Sequence, residues 1–271
     1  MLGLPDVVWA GVIASLLTLG GVLLTNRGSN NRNLAQLNHD KDQRNREREM
    51  VLRREVYLRA TETISEAMSA IVRIADLNVS NEDLGKDISN STSSINKIHV
   101  VGKDSTVYST AIFSSEMGYI FLKLITDRIP LLVLKEQIST LEGSIEKSTK
   151  EREGIIEMMK DFNIKGNADR RLWDVLNENF NFQGKQLDNY FKERLSVQKV
   201  IIKGQINLIR EIAIHHARLR KLLIPTLIAI REELELPLDK DKYSTFVEED
   251  IIKNSKLLNE WIERIEKIPN A

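Results

Sequence analysis

Glu211, His215 and His216 come nearest to a reactive constellation in this chain. Glu211 and His215 stand four apart, which places a carboxylate and an imidazole on one helix face and could form two edges of a metal site. A zinc site needs three or four ligands, and the remaining histidines, His39 and His99, are far away in sequence. His216 falls on the apolar side, between Ala213 and Leu219, so the plainer reading is a seam histidine beside a solvated ion pair. The same stretch, "HHARLRK", together with Arg210 makes a basic patch of Arg210, Arg218, Arg220 and Lys221. Such a patch suits a phosphate or an acidic partner helix, although most such charge is a solvated face. The carboxylate-rich runs "EREG", "REELE" and "VEED" read as exposed helix faces. There is no phosphate-binding Gly-rich loop, no Gly-x-Ser-x-Gly and no His-Glu-x-x-His. The expectation is a non-enzymatic protein with no catalytic residue and no cofactor. The alternative is an enzyme with an unrecognised site near Glu211, His215 and His216.

Any such residues must be positioned by helices. Only 5 prolines and 13 glycines punctuate 271 residues, which favours long elements over many strands and turns. Hydrophobic residues make up 42% and charged residues 29%, enough for a packed core. The 39 basic side chains balance the 39 acidic ones, so there is no global attraction to nucleic acid, and none is expected as a partner. The absence of cysteine excludes disulfides, thiolate catalysis and Cys-ligated zinc or iron–sulfur clusters.

Near the start, "DVVWAGVIASLLTLGGVLLTNR" carries neither charge nor histidine from Val7 to Asn26. At 1.5 Å per residue that stretch is roughly 30 Å long, the thickness of a bilayer's hydrocarbon core. It is apolar all round, and Trp9 stands near one end where an interfacial indole is expected. The leader "MLGLPD" has Asp6 and no basic side chain, and no Ala-x-Ala site follows the run, which argues against a cleaved signal peptide. Arg27, Arg32, Lys41, Arg44, Arg46 and Arg48 follow the stretch, so the positive-inside rule puts the short N-terminus outside and residues 27–271 in the cytoplasm. The Asn78 and Asn90 sequons would then be silent. Gly11 and Ser15 form a small-xxx-small pair suited to self-association within the membrane.

The remainder reads as helix. "NRGSNNRN" (26–33) predicts a break, followed by a charged stalk with acid–base pairs four apart: Asp40 with Arg44, Asp42 with Arg46, Glu49 with Arg53. A stripe of Val56, Ala60, Thr63, Ala67, Ala70, Ile74 and Leu77 then alternates steps of 4 and 3, the coiled-coil or bundle period. Residues 79–104, rich in Asn, Ser and Asp, predict a loop with a short extended piece at "KIHVVG". A helix follows from Asp104 or Ser105, with Val107, Ala111, Met117, Ile120, Phe121, Leu124 and Ile125 on its buried side and Pro130 kinking or ending it. A regular stripe runs from Leu134 to Phe162, interrupted by Ser148 and Arg152. Gly166 predicts a stop, and Asn167 or Asp169 a new cap. The longest helix covers roughly 170–234, with Leu172, Leu187, Phe191, Leu195, Ile206 and Leu219 among its core candidates and Pro225 bending it. "ELPLDKDKYS" predicts a linker, and Thr245 with Glu248 a capping box for a last helix carrying Phe246, Ile251, Ile252, Trp261 and Ile262.

The expected fold is all-α: an N-terminal transmembrane helix (1–26), a charged juxtamembrane stalk (27–55) and an elongated antiparallel helical bundle with coiled-coil-like hairpins (56–271). With its segment "REREMVLRREVYLRA", this plan resembles uncharacterised bacterial proteins that have one N-terminal membrane helix, an Arg/Glu-rich segment and a helical cytoplasmic region. The resemblance implies no activity and no site residues. The expected role is a membrane-anchored interaction or scaffold protein, its partners being the lipid bilayer and either another protein or copies of itself. The alternative of a membrane-linked signalling or stress-response transducer rests on the interruptions at Ser148 and Arg152 and the breaks at Pro130 and Pro225.

Overall fold

The computed structural model describes residues 6–166 and 169–267, with the side chains of 6–24 and of 31 outside the description. Among the described residues five helices follow in order: α1 (Asp6–Arg73), α2 (Asn81–Val101), α3 (Asp104–Ile164), α4 (Arg170–Glu233) and α5 (Lys240–Glu266). No strand occurs among the described residues. The chain divides into two compact units, Met1–Glu55 and Val56–Ala271.

In the first unit the helix passes through 26–33, where a break was expected. Gly28 and the asparagines carry weak helix propensity, yet a single interior glycine costs only about 1 kcal/mol and the flanking residues sustain the helix. Glu49 and Arg53 stand 3.9 Å apart, one helical turn from each other. Among the described residues no helix is long and apolar enough to cross a membrane. The side chains of the expected span, Gly11 and Ser15 included, lie outside the described residues.

The second unit is built on an antiparallel pair of long helices, α3 and α4. Their cross-contacts run in opposite sequence directions: Glu116 with Arg218, Lys123 with Glu211, Glu142 with Arg194, Glu151 with Gln183, Phe162 with Trp173. The buried residues of α3 include Thr110, Phe113, Met117, Ile120, Leu124, Arg128 and Leu131, and those of α4 include Val197, Ile201, Leu208, Ile212, His215 and Leu219. Both series advance in steps of mainly 4 and 3, so each helix keeps one stripe on its partner. Pro130 lies inside α3 and does not end it, and Pro225 lies inside α4 as expected. A mid-helix proline costs about 3 kcal/mol, and packed seam residues on both sides outweigh it. Ser148 is small enough to be buried in the seam, and Arg152 lays its guanidinium 4.2 Å from the Phe180 ring centre, so both expected interruptions belong to the interface.

The largest departure from expectation is α2. Residues 81–101 form a helix where a loop and an extended piece were predicted. Ser80 caps it, accepting from the Asp83 backbone N–H at 3.0 Å. Leu84, Ile88, Ser91, Ile95 and Ile98 recur at steps of 4 and 3, a stripe partly hidden in the sequence because one of its members is serine. Leu84, Ile88 and Ile95 join Ile64, Ala67, Ile71, Phe113, Met117 and Ile120 in one core. Ala60, Ala67 and Ala70 are fully buried on α1, and small side chains there let neighbouring helices approach closely.

The turns are fixed by α3 and by caps. Arg128, fully buried, donates to the Asp76 carbonyl at 2.8 Å and also to the Val79 carbonyl and the Asn81 side chain. Lys135 adds bonds of 2.9 Å to the Leu77 carbonyl and the Asn78 side chain. The α1–α2 turn is thus held by two cations from another helix. Gly166 takes the left-handed conformation after α3 (φ 60°), and Asp169 caps α4 by accepting from Arg171 and Leu172. Asp239 caps α5, so the expected capping box at Thr245 and Glu248 lies inside that helix, and the supposed linker supplies its first turn. Leu172, Phe191, Leu195, Phe246, Ile252 and Trp261, expected in the core, are exposed, while Val247, Ile251 and Ile262 are the buried residues of α5.

Candidate functional site

The most completely built polar site centres on Glu233, 4% exposed at the end of α4. The Tyr57 hydroxyl of α1 donates to its Oε2 at 2.6 Å. The Lys103 backbone N–H donates to Oε1 at 2.8 Å, and the Thr106 hydroxyl donates to the same oxygen. Lys103 is the N-cap residue of α3 and makes no side-chain cap of its own. Glu233 therefore caps α3 from another helix, and its charge lies at the positive end of that helix's dipole. Gly102 makes the close approach available: a Cβ there would lie 2.8 Å from the Ile98 carbonyl oxygen and 3.2 Å from the Tyr57 hydroxyl.

Beside this site lies a cavity of about 270 Å³ lined by Tyr57, Thr61, Leu227, Ile230, Leu234 and Tyr243, among others. Arg231 forms part of its wall, donating through Nη2 to the Pro237 carbonyl at 3.0 Å. Both oxygens of Glu233 accept bonds from protein donors, so the carboxylate acts as a staple, and the cavity suits an apolar group of modest size.

The residues singled out in the sequence divide between two faces of α4. Glu211 and His215 come together at 3.6 Å on the α3 side, with the Lys123 ammonium beside them. Lys123 Nζ donates to Glu211 Oε2 at 2.7 Å and stands 3.0 Å from His215 Nε2. The hydrogen bond to Glu211 raises the Lys123 pKa, and the same bond lowers that of Glu211. A charged Lys123 requires Nε2 to accept, which assigns the His215 proton to Nδ1. Burial, followed by the Lys123 charge, lowers the His215 pKa. An ammonium therefore occupies the position where a metal ion would meet the Glu211–His215 edge. His216 faces away, in a cleft against Ile251 and Asn254 of α5, and its pKa is lowered by burial and then by Arg220. No group of three metal-ligating side chains occurs among the described residues.

The basic patch is likewise distributed. Arg218 pairs with Glu116 of α3 at 3.1 Å, whereas Arg220 and Arg210 pair with Asp250 and Glu266 of α5, at 2.6 and 2.7 Å. Lys221 is exposed. These cations join α4 to its neighbours and do not converge on a single anion site. The sequence reading missed Tyr57, Thr106 and Glu233 as a site. Their signal was the heptad register: Ile212, Leu219, Thr226 and Glu233 recur every seven residues, which places this glutamate of "REELE" in the seam and not on a wet face. Compared with family models, curated proteins and solved structures, the chain shows no match.

Proposed function

We propose that this chain is a membrane-anchored helical interaction protein that performs no chemistry of its own. The observation carrying this reading is the uncharged stretch Val7–Asn26 with an acidic leader before it and six basic residues close behind it. The asymmetry favours an N-terminus outside and the bundle in the cytoplasm. The interaction role is supported by the way the bundle uses its polar groups: Glu233, Arg128 and the Lys123–Glu211 pair bond to other helices and present no cluster to a cleft. A protein whose polar network is spent on its own packing offers partners its surface. Cell fractionation combined with protease accessibility tests the reading. The intact chain is expected in the membrane fraction, with the bundle protected in spheroplasts and cleaved in inverted vesicles. Recovery of the intact chain in the soluble fraction overturns it.

A further inference from the structure

The outer face of α3, opposite its buried seam, carries a second apolar stripe. Tyr108, Ile112, Tyr119, Leu122, Ile129 and Val133 are all exposed, from 43% at Ile112 to 71% at Tyr108. With exposed Ser115 and Thr126 between them, they recur at unbroken steps of 4 and 3. That period is the one a second helix requires, and no charge falls on the stripe. The same spacing continued beyond Val133 meets Glu136, Thr140, Gly143, Lys147 and Lys150, the charged face that solvated helices normally show. The apolar character is thus confined to one segment.

We propose that this segment is a homodimer interface in which α3 packs antiparallel on α3 of a second copy, about a two-fold axis near residues 120 and 121. The stripe reads nearly the same in both directions. Under that axis Tyr119 faces Leu122 of the second copy, Ser115 faces Thr126, Ile112 faces Ile129 and Tyr108 faces Val133. Each layer pairs apolar with apolar or hydroxyl with hydroxyl, as an isologous contact demands. The flanks match as well. On one side Glu116 comes near Lys123 of the second copy, opposite charges that each already pair within the protomer, with Arg218 and Glu211 of α4. On the other side Gly118 comes near Ile125 and Ala111 near Leu132, a small residue facing a large, half-buried one whose inner side packs on the protomer's own core. Gly118 has open space where a Cβ would stand, which leaves room for the incoming isoleucine. A parallel pairing in register would instead set Gly118 beside Lys123 and Ala111 beside Glu116 of the second copy, losing the match of small with large.

This names the partner for the interaction role proposed above and does not require the anchor, so the two are read separately in one experiment. The chain has no cysteine, and any introduced thiol is therefore unique. Full-length S115C and T126C chains carrying different tags are co-expressed, treated with a short bis-maleimide and followed in both membrane and soluble fractions. The expected result is a mixed S115C–T126C product and none from either chain alone, because like positions lie roughly 16 Å apart along the two antiparallel helices. Adding Leu122→Glu to both chains should abolish the product while circular dichroism shows the protomer still fully helical, since Leu122 is exposed in it. Absence of the mixed product overturns the proposal, as does self-crosslinking of S115C equal to the mixed product, or a product made only with other proteins. Failure of the anchor would instead move the crosslinked pair to the soluble fraction.

Discussion

Tyr57 and Glu233, 176 positions apart in the chain, share a buried hydrogen bond of 2.6 Å. The bond ties α1 to the end of α4 at the point where Glu233 also caps α3. Removing one partner takes this bond from a buried oxygen of the other, at about 1–3 kcal/mol for a group bonded to a charge. Tyr57→Phe is expected to lower stability by about 2 kcal/mol and Glu233→Ala by about 3 kcal/mol, with the double variant costing less than their sum. Chemical denaturation of the four proteins measures this coupling; strictly additive losses would show that the bond contributes nothing.

Gly102 makes that geometry possible. Its substitution by alanine forces a carbon to within 2.8 Å of a backbone oxygen that cannot retreat without bending α2. The expected loss for Gly102→Ala is about 1–3 kcal/mol, typical of overpacking. Gly118→Ala, in open space, should instead stabilise its helix by up to about 1 kcal/mol in isolated protomers. A comparison of melting temperatures separates the two.

Arg128 should be more sensitive than any surface cation. Burial lowers its pKa, partly offset by Asp76, and its donors serve the carbonyls that close the α1–α2 turn. Arg128→Met is expected to destabilise by about 3 kcal/mol, and Arg128→Lys to recover little, because one ammonium cannot span acceptors served by a planar fork. Hydrogen exchange localised to residues 74–84 is the diagnostic readout, and protection there should fall first.

Glu235 adopts a positive φ of 56°, unusual for a side chain other than glycine or asparagine. It ends α4 in a Schellman arrangement: Leu236 N–H donates to the Arg231 carbonyl at 2.9 Å and Glu235 N–H to the Glu232 carbonyl at 3.1 Å. Glycine takes this conformation without the penalty of a Cβ, so Glu235→Gly should raise stability by about 1 kcal/mol. A drop in melting temperature would contradict it.

His215 and His216 give stability a dependence on pH. Both have pKa values below the usual 6.5 in the folded chain, mainly from burial, with Lys123 adding to the effect at His215 and Arg220 at His216. At His215 the carboxylates Glu211 and Glu116 oppose the shift, while Arg218 reinforces it. The unfolded chain then binds more protons just below pH 6.5, so the contribution is present above that value and is lost as the pH falls through the lowered folded values. Melting temperature should decline on acidification from about pH 7 to 5, and His215→Leu should flatten part of the slope. A slope unchanged by both His215→Leu and His216→Leu would assign it to carboxylates.

The amino-acid order by itself determined the all-helical class, because scarce Gly and Pro and repeated 4–3 spacing leave few alternatives. It also determined the stripe from Ala60 to Leu77, the seam positions Leu141 and Ile155 and the stop at Gly166, each written in local periodicity or a backbone requirement. It misled where polar residues were read by type alone. The serines of α2 suggested a loop, Glu233 a wet face and Arg128 nothing at all, yet all are buried where tertiary contacts satisfy them. The sequence also put Met117, Ile120 and Leu124 on the buried side of α3, but periodicity marks a face without naming its partner, and tertiary structure supplied α1, α2 and α4. Tertiary structure also put Lys123 between Glu211 and His215, a contact made across 88 and 92 positions that no local pattern encodes.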